Sequence, residues 1–121
     1  MDFSWSDKQL AFKQRVIQFA QENLNGDIVE RDHQGKFSWE NRKKCAEFGI
    51  QGMCIPEEYS GSPALDIMTA VLAMEALGYG CEDNGLTLGL NAQMWTVQIL
   101  LQQFGTDEQK QRYLPRLCHG E

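Results

Sequence analysis

Between Cys45 and Gly105 the chain has no lysine, no arginine and no histidine. That absence removes from the middle of the chain any basic grip on a phosphate, including the phosphates of coenzyme A. It also permits burial, because Lys and Arg are almost never fully buried without a partner. The middle of the chain is therefore expected to lie inside something. Non-specific nucleic-acid binding needs a basic face, and the net charge here is −6. Cysteine is sparse and widely spaced. Cys45, Cys54, Cys81 and Cys118 form no C-x-x-C pair, so free thiols in the cytoplasm are expected rather than a disulfide framework. No G-x-S-x-G, G-x-G-x-x-G or Walker pattern occurs, so neither a nucleophile elbow nor a phosphate-cradling glycine loop is expected. The first residues carry acids early and lack a long apolar stretch, unlike a signal or transit peptide. At 121 residues one domain is expected, spanning 1–121.

What is present reads as helix. Ser6 and Gln9 form a capping-box pattern at the start of a helix from Asp7 to Leu24. Leu10, Phe12, Val16, Ile17, Phe19, Ala20 and Leu24 share one broad arc of it. Asn25-Gly26 ends it, and a polar connector follows. Ser38 caps a second helix that runs to Phe48 and closes at Gly49. Met53-Cys54-Ile55 reads as extended, and Pro56 to Pro63 as a loop. A third helix, apolar nearly all round, is predicted from Ala64 to Leu77, with Gly78-Tyr79-Gly80 as its end. A fourth, without charge, covers Gly85 to Phe104. Its length raises a membrane span, but Asn91, Gln93, Gln98, Gln102 and Gln103 would be costly in lipid. Thr106 and Gln109 cap a fifth helix ending around Leu114–Leu117. The fold class is all-α: an up-and-down bundle of about five helices.

Few residues invite chemistry. Glu30-Arg31-Asp32-His33 is an E-x-x-H, but a di-iron site needs a second such pair and two more carboxylates, so a solvated connector is expected. Glu57 and Glu58 are neighbours whose side chains diverge in an extended loop. Glu75 sits on an otherwise apolar helix, and should be either in a buried structural pair or on a face turned to an edge. The fourth helix holds the one pocket-like pattern. Leu88, Ala92, Trp95 and Thr96 fall at i, i+4, i+7 and i+8, and small residues at 89 and 92 would allow close approach. Taken alone, this stripe reads as core packing.

Several separated elements together resemble the N-terminal helical domain of the acyl-CoA dehydrogenase family. They are the Phe3/Gln9 opening of the first helix, the Gly49–Gly52 exit, and the Pro56-Glu57-Glu58-Tyr59 loop. The apolar helix ending Glu75-Ala76-Leu77-Gly78 and the block from Phe104 to Pro115 complete the set. The Ser60-Gly61-Ser62-Pro63-Ala64 run departs from the family's denser glycine loop, and Pro63 would stiffen entry into the third helix.

The resemblance implies a three-part, FAD-dependent enzyme that desaturates an acyl thioester carried on CoA or on an acyl-carrier protein. Its β domain and C-terminal bundle, absent here, hold the catalytic base and the main flavin contacts. No catalytic, cofactor or metal residue is therefore carried over, and this stretch alone should be inactive. The resemblance does imply that Leu88, Ala92, Trp95 and Thr96 wall the acyl pocket. It also implies a homo-oligomer, dimer or tetramer, with an electron-transfer flavoprotein as candidate partner. A non-catalytic helical interaction module derived from the family is the alternative.

Overall fold

The structure is a computed structural model that describes residues 4–62 and 66–121. The described residues contain helices and turns and no strand. Helix α1 spans Asp7–Asn23, α2 Ile28–His33, α3 Trp39–Phe48 and α4 Ile67–Gly80. A single helical rod follows. It is made of α5 (Asn84–Asn91), a π-helical segment (Ala92–Gln98) and α6 (Ile99–Phe104). Helix α7 spans Asp107–Cys118.

Both capping boxes form. The Gln9 amide donates to Ser6 Oγ at 3.3 Å while Ser6 N–H donates to Gln9 Oε1 at 2.9 Å. Thr106 and Gln109 repeat the exchange at α7. Each box satisfies two amides that the first helical turn would otherwise leave unpaired. Ser38 caps α3, and Gly49 ends it with φ 101°, a left-handed conformation that favours glycine.

The core is organised by α1 lying along α4. From α1 come Val16, Ile17 and Ala20, and from α4 come Ala70, Ala73, Met74, Ala76 and Leu77. Leu86, Leu90 and Met94 of the rod close the same cluster. Each fully buried Leu or Met contributes on the order of 1.5–3 kcal/mol. The helices approach so closely that a Cβ on Gly80 would stand 2.7 Å from the Ile17 carbonyl oxygen and 2.8 Å from Ala20 Cβ. Polar ties run along the seam. Gln9 Nε2 donates to Thr69 Oγ1 at 2.9 Å, and Asn25 Nδ2 to the Gly80 carbonyl at 2.8 Å.

Several expectations need correction. The connector after α1 contains a helix, α2, because Arg31 on it is held by the rest of the fold. Arg31 Nη1 donates to Asp83 Oδ2 at 2.6 Å, and its Nη2 to the Gly26 carbonyl. Met53-Cys54-Ile55 is a turn, not an extended piece; backbone bonds from Met53 to Ile50 and from Ile55 to Gly52 coil it tightly enough to bury Met53 and Ile55. Glu57 and Glu58 sit on a short 3₁₀ turn. Helix α4 continues through Gly80, since neither glycine there takes a positive φ. The expected start of this helix at Ala64, Pro63 and Phe3 lie outside the described residues.

The cation-free middle is buried on one side only. The other side of α4 shows Ile67, Met68, Val71 and Tyr79 to solvent. The rod likewise shows Leu88, Val97, Leu100 and Phe104. Among the described residues no helix is long and apolar enough to cross a membrane.

Candidate functional site

The rod from Asn84 to Phe104 carries the candidate residues. Asp83 starts it, accepting the Leu86 amide at 3.0 Å. Burial by itself would raise the Asp83 carboxyl; the Arg31 guanidinium and the Leu86 and Gly85 amides outweigh it and hold the group below the usual aspartate value. Leu86, Leu90, Gln93, Met94 and Gln98 face inward.

The structure divides the four predicted residues. Leu88, Ala92 and Thr96 lie exposed on one strip. Trp95 turns partly into the core; its ring packs against the main cluster and its indole Nε1–H donates to Asn91 Oδ1 at 2.9 Å. Trp95 therefore stands at the margin of the strip, its ring fixed by a hydrogen bond. Of the two small residues, Gly89 is occupied from outside by Phe37, whose ring lies 3.6 Å from where a Cβ would be. Ala92 stays open. The strip continues past the predicted residues, with Leu88 71%, Leu100 52% and Phe104 82% exposed.

Beneath the strip lies a buried amide network that sequence reasoning missed. Gln93 Nε2 donates to the Leu117 carbonyl at 2.9 Å and to Gln98 Oε1 at 3.4 Å. Gln98 Nε2 donates to the Gln51 carbonyl at 2.9 Å, and Gln51 Nε2 to the Arg42 carbonyl at 3.0 Å. Arg42 in turn donates to Gln93 Oε1 and to the Gly120 carbonyl. The network joins α3, the turn after it, the π segment and the end of α7. Its one sequence signal was the five-residue interval between Gln93 and Gln98, which no α-helical face explains.

Other candidates dissolve. Glu75 is on an exposed flank, paired at 2.9 Å with Lys13 Nζ, so the edge position applies and not a buried pair. Glu30 and His33 are exposed on α2. Among the described residues no group of three or more His, Cys, Asp or Glu side chains could hold a metal ion. All four thiols are free. Burial pushes Cys45 up to about 12 and Cys118 up to about 11, and raises Cys54 and Cys81 too. None is a ready nucleophile, since the thiolate is the reactive form.

Comparison with known proteins gives a consistent result. The family model described as "Acyl-CoA dehydrogenase, N-terminal domain" matches residues 6–121. A short-chain specific acyl-CoA dehydrogenase of Clostridium acetobutylicum is 32% identical over 121 residues, covering 100% of this chain and 31% of the relative. An L-prolyl-[peptidyl-carrier protein] dehydrogenase of Pseudomonas fluorescens is also 32% identical, with the same coverage of both chains. Among solved structures, the prolyl acyl carrier protein oxidase AnaB superposes with a TM-score of 0.92 at 45% identity, over 97% of this chain and 31% of that one. The chain thus spans less than a third of the length of these relatives.

Proposed function

Because this chain belongs to the acyl-CoA dehydrogenase family, as its N-terminal domain, we propose that it forms one wall of the acyl pocket in a flavin-dependent acyl-thioester dehydrogenase. The observation that carries the proposal is the exposed strip Leu88–Ala92–Thr96, prolonged by Leu100 and Phe104. A row of side chains, apolar but for Thr96, that faces water on a well-packed helix marks a surface that something covers. An acyl tail at one part of the strip, and the remaining domains along the rest and along α4, would cover it. Trp95 closes the strip with a bulky ring that cannot swing freely, and a short or compact acyl group fits beside it. CoA and carrier-protein thioesters both suit an apolar wall that touches only the tail. The short-chain and prolyl-carrier relatives support a compact group on either carrier.

The described residues offer no cradle for FAD. One cleft of about 550 Å³ includes Arg31 and Lys36, but Asp83 already engages Arg31 and further acids, Asp32 and Glu82, line it. Flavin would therefore be held by domains outside this stretch, where it would accept the hydride from the β-carbon. This chain's part is to bind and orient the tail and to keep water from it. The domain 1–121 is read as one unit of a larger homo-oligomeric, cytoplasmic protein, reoxidised by an electron-transfer flavoprotein. The all-free cysteines are consistent with that compartment.

The test is purification of the polypeptide that carries this chain together with the β and C-terminal domains of its relatives. A yellow protein whose flavin absorbance bleaches on titration with a short acyl thioester is expected. A colourless protein, or one that no thioester reduces, would overturn the proposal.

A further inference from the structure

The amide pair Gln93–Gln98 has a geometry that an ordinary helix forbids. An α-helix advances about 100° per residue, so side chains five apart point about 140° away from each other. Here Gln93 Nε2 and Gln98 Oε1 meet at 3.4 Å. They meet because residues 92–98 are π-helical, with the Ile99 amide donating to the Met94 carbonyl five residues back. Both amides are anchored elsewhere as well, Gln93 to Leu117 and Arg42, and Gln98 to Gln51. The wider turn thus places two buried side chains where partners from α3, the following turn and α7 satisfy them. A straight helix would leave one of them buried and unpaired, which is disfavoured.

The same wide turn explains the strip. Leu88, Ala92, Thr96, Leu100 and Phe104 repeat at an interval of four. In a regular α-helix each such step swings about 40°, and four steps carry the last residue about 160° round the axis. In this structure all five remain exposed. A π turn advances fewer degrees per residue, so the π segment offsets part of that drift and favours a common outward direction for the five. Such segments often mark functional positions.

We propose that Gln93 and Gln98 are positioning residues: their paired amides hold the π turn that sets which side chains line the acyl wall, and so tune the acyl length accepted. The effect on acyl length rests on the proposed pocket; the control of helix register does not.

The experiment uses the polypeptide with its flavin-bearing domains and two single variants, Gln93→Met and Gln98→Met. Each keeps side-chain length and removes the amide. Crystal structures read the acceptor of the Ile99 amide, and kinetics read kcat/KM for a short and a long acyl-CoA. The expected result is a shift of that bond to the Trp95 carbonyl, displacement of Leu100 and Phe104 from the row, and a change in the long-to-short ratio of roughly tenfold or more. A π segment intact in both variants overturns the inference. A lost π segment with an unchanged ratio sustains the register role and overturns the pocket wall. Nuclear Overhauser contacts between the Gln93 side-chain amide and the Gln98 side chain, measured in the unaltered protein, do not depend on the variants folding. Their absence would overturn the inference too.

Discussion

Replacing Asp83 should unsettle the corner between α2 and the long rod, and the structure allows the size to be worked out. The Asp83 carboxylate has two tasks. One oxygen caps α5 through the Leu86 amide and the other pairs with Arg31 at 2.6 Å. The pair is largely enclosed, with side chains 17% and 15% exposed. Loss of an N-cap costs about 1 kcal/mol. Removing one partner of a buried ion pair costs roughly 3–5 kcal/mol, and the remaining solvent access places this pair at the low end. Asp83→Ala should therefore cost about 3–4 kcal/mol, allowing for non-additivity within one side chain. Asp83→Asn, which keeps a good cap, should cost about 1 kcal/mol less. For a chain of this size Asp83→Ala then lowers Tm by roughly 10–15 °C.

The pH dependence has a definite sign. The folded carboxyl is held below its ordinary value, so its contribution is complete above the unfolded value of about 4 and is lost as pH falls through the folded one. Thermal melts by circular dichroism at pH 7 and pH 3 check both points. The gap between wild type and Asp83→Ala should be wide at pH 7 and narrower at pH 3. A variant melting within about 2 °C of wild type at pH 7, or a gap that does not narrow in acid, would refute the reasoning.

Other consequences concern packing, thiols and the pocket. Gly80→Ala gains helix propensity but pushes a methyl into the backbone of α1, and should destabilise by about 1–2 kcal/mol in urea titration; a stabilised variant would contradict the close α1–α4 contact. A thiol reagent at pH 8 should label Cys54 first, since it alone of the four is not fully buried, and Cys45 only on unfolding. Equal labelling rates would speak against that burial. With the flavin domains present, Trp95→Ala should extend activity to longer acyl chains, and an unchanged chain-length profile would remove Trp95 from the pocket.

The caps were legible because they are local chemistry. Ser6 with Gln9, Ser38, and Thr106 with Gln109 need only a few residues and a backbone to form. Glycine at 49 was legible for the same reason. Helix α2 was not, because its segment has no apolar period and is held by an arginine reaching across to Asp83, 52 residues away. The π segment was hidden likewise. Its amides are satisfied by Gln51 and Leu117, partners brought close only by the finished fold. The strip was half legible. Spacing alone grouped Leu88, Ala92, Trp95 and Thr96 as if the helix were regular, whereas the fold packs Trp95 partly on the core and leaves Leu100 and Phe104 exposed with the other three. Glu75 was read as either a buried pair or an edge group; one ion pair on the flank decided between them.

The central claim is that the open faces of α4 and the rod are the inner surface of a larger dehydrogenase, with the acyl tail against the rod. The most direct measurement is photolabelling of the complete polypeptide by a short acyl thioester bearing a diazirine at its tail end, followed by peptide mass spectrometry. The account predicts adducts on residues 88–100, suppressed by an unlabelled thioester. Competable labelling confined to other domains, with this stretch untouched, would contradict it.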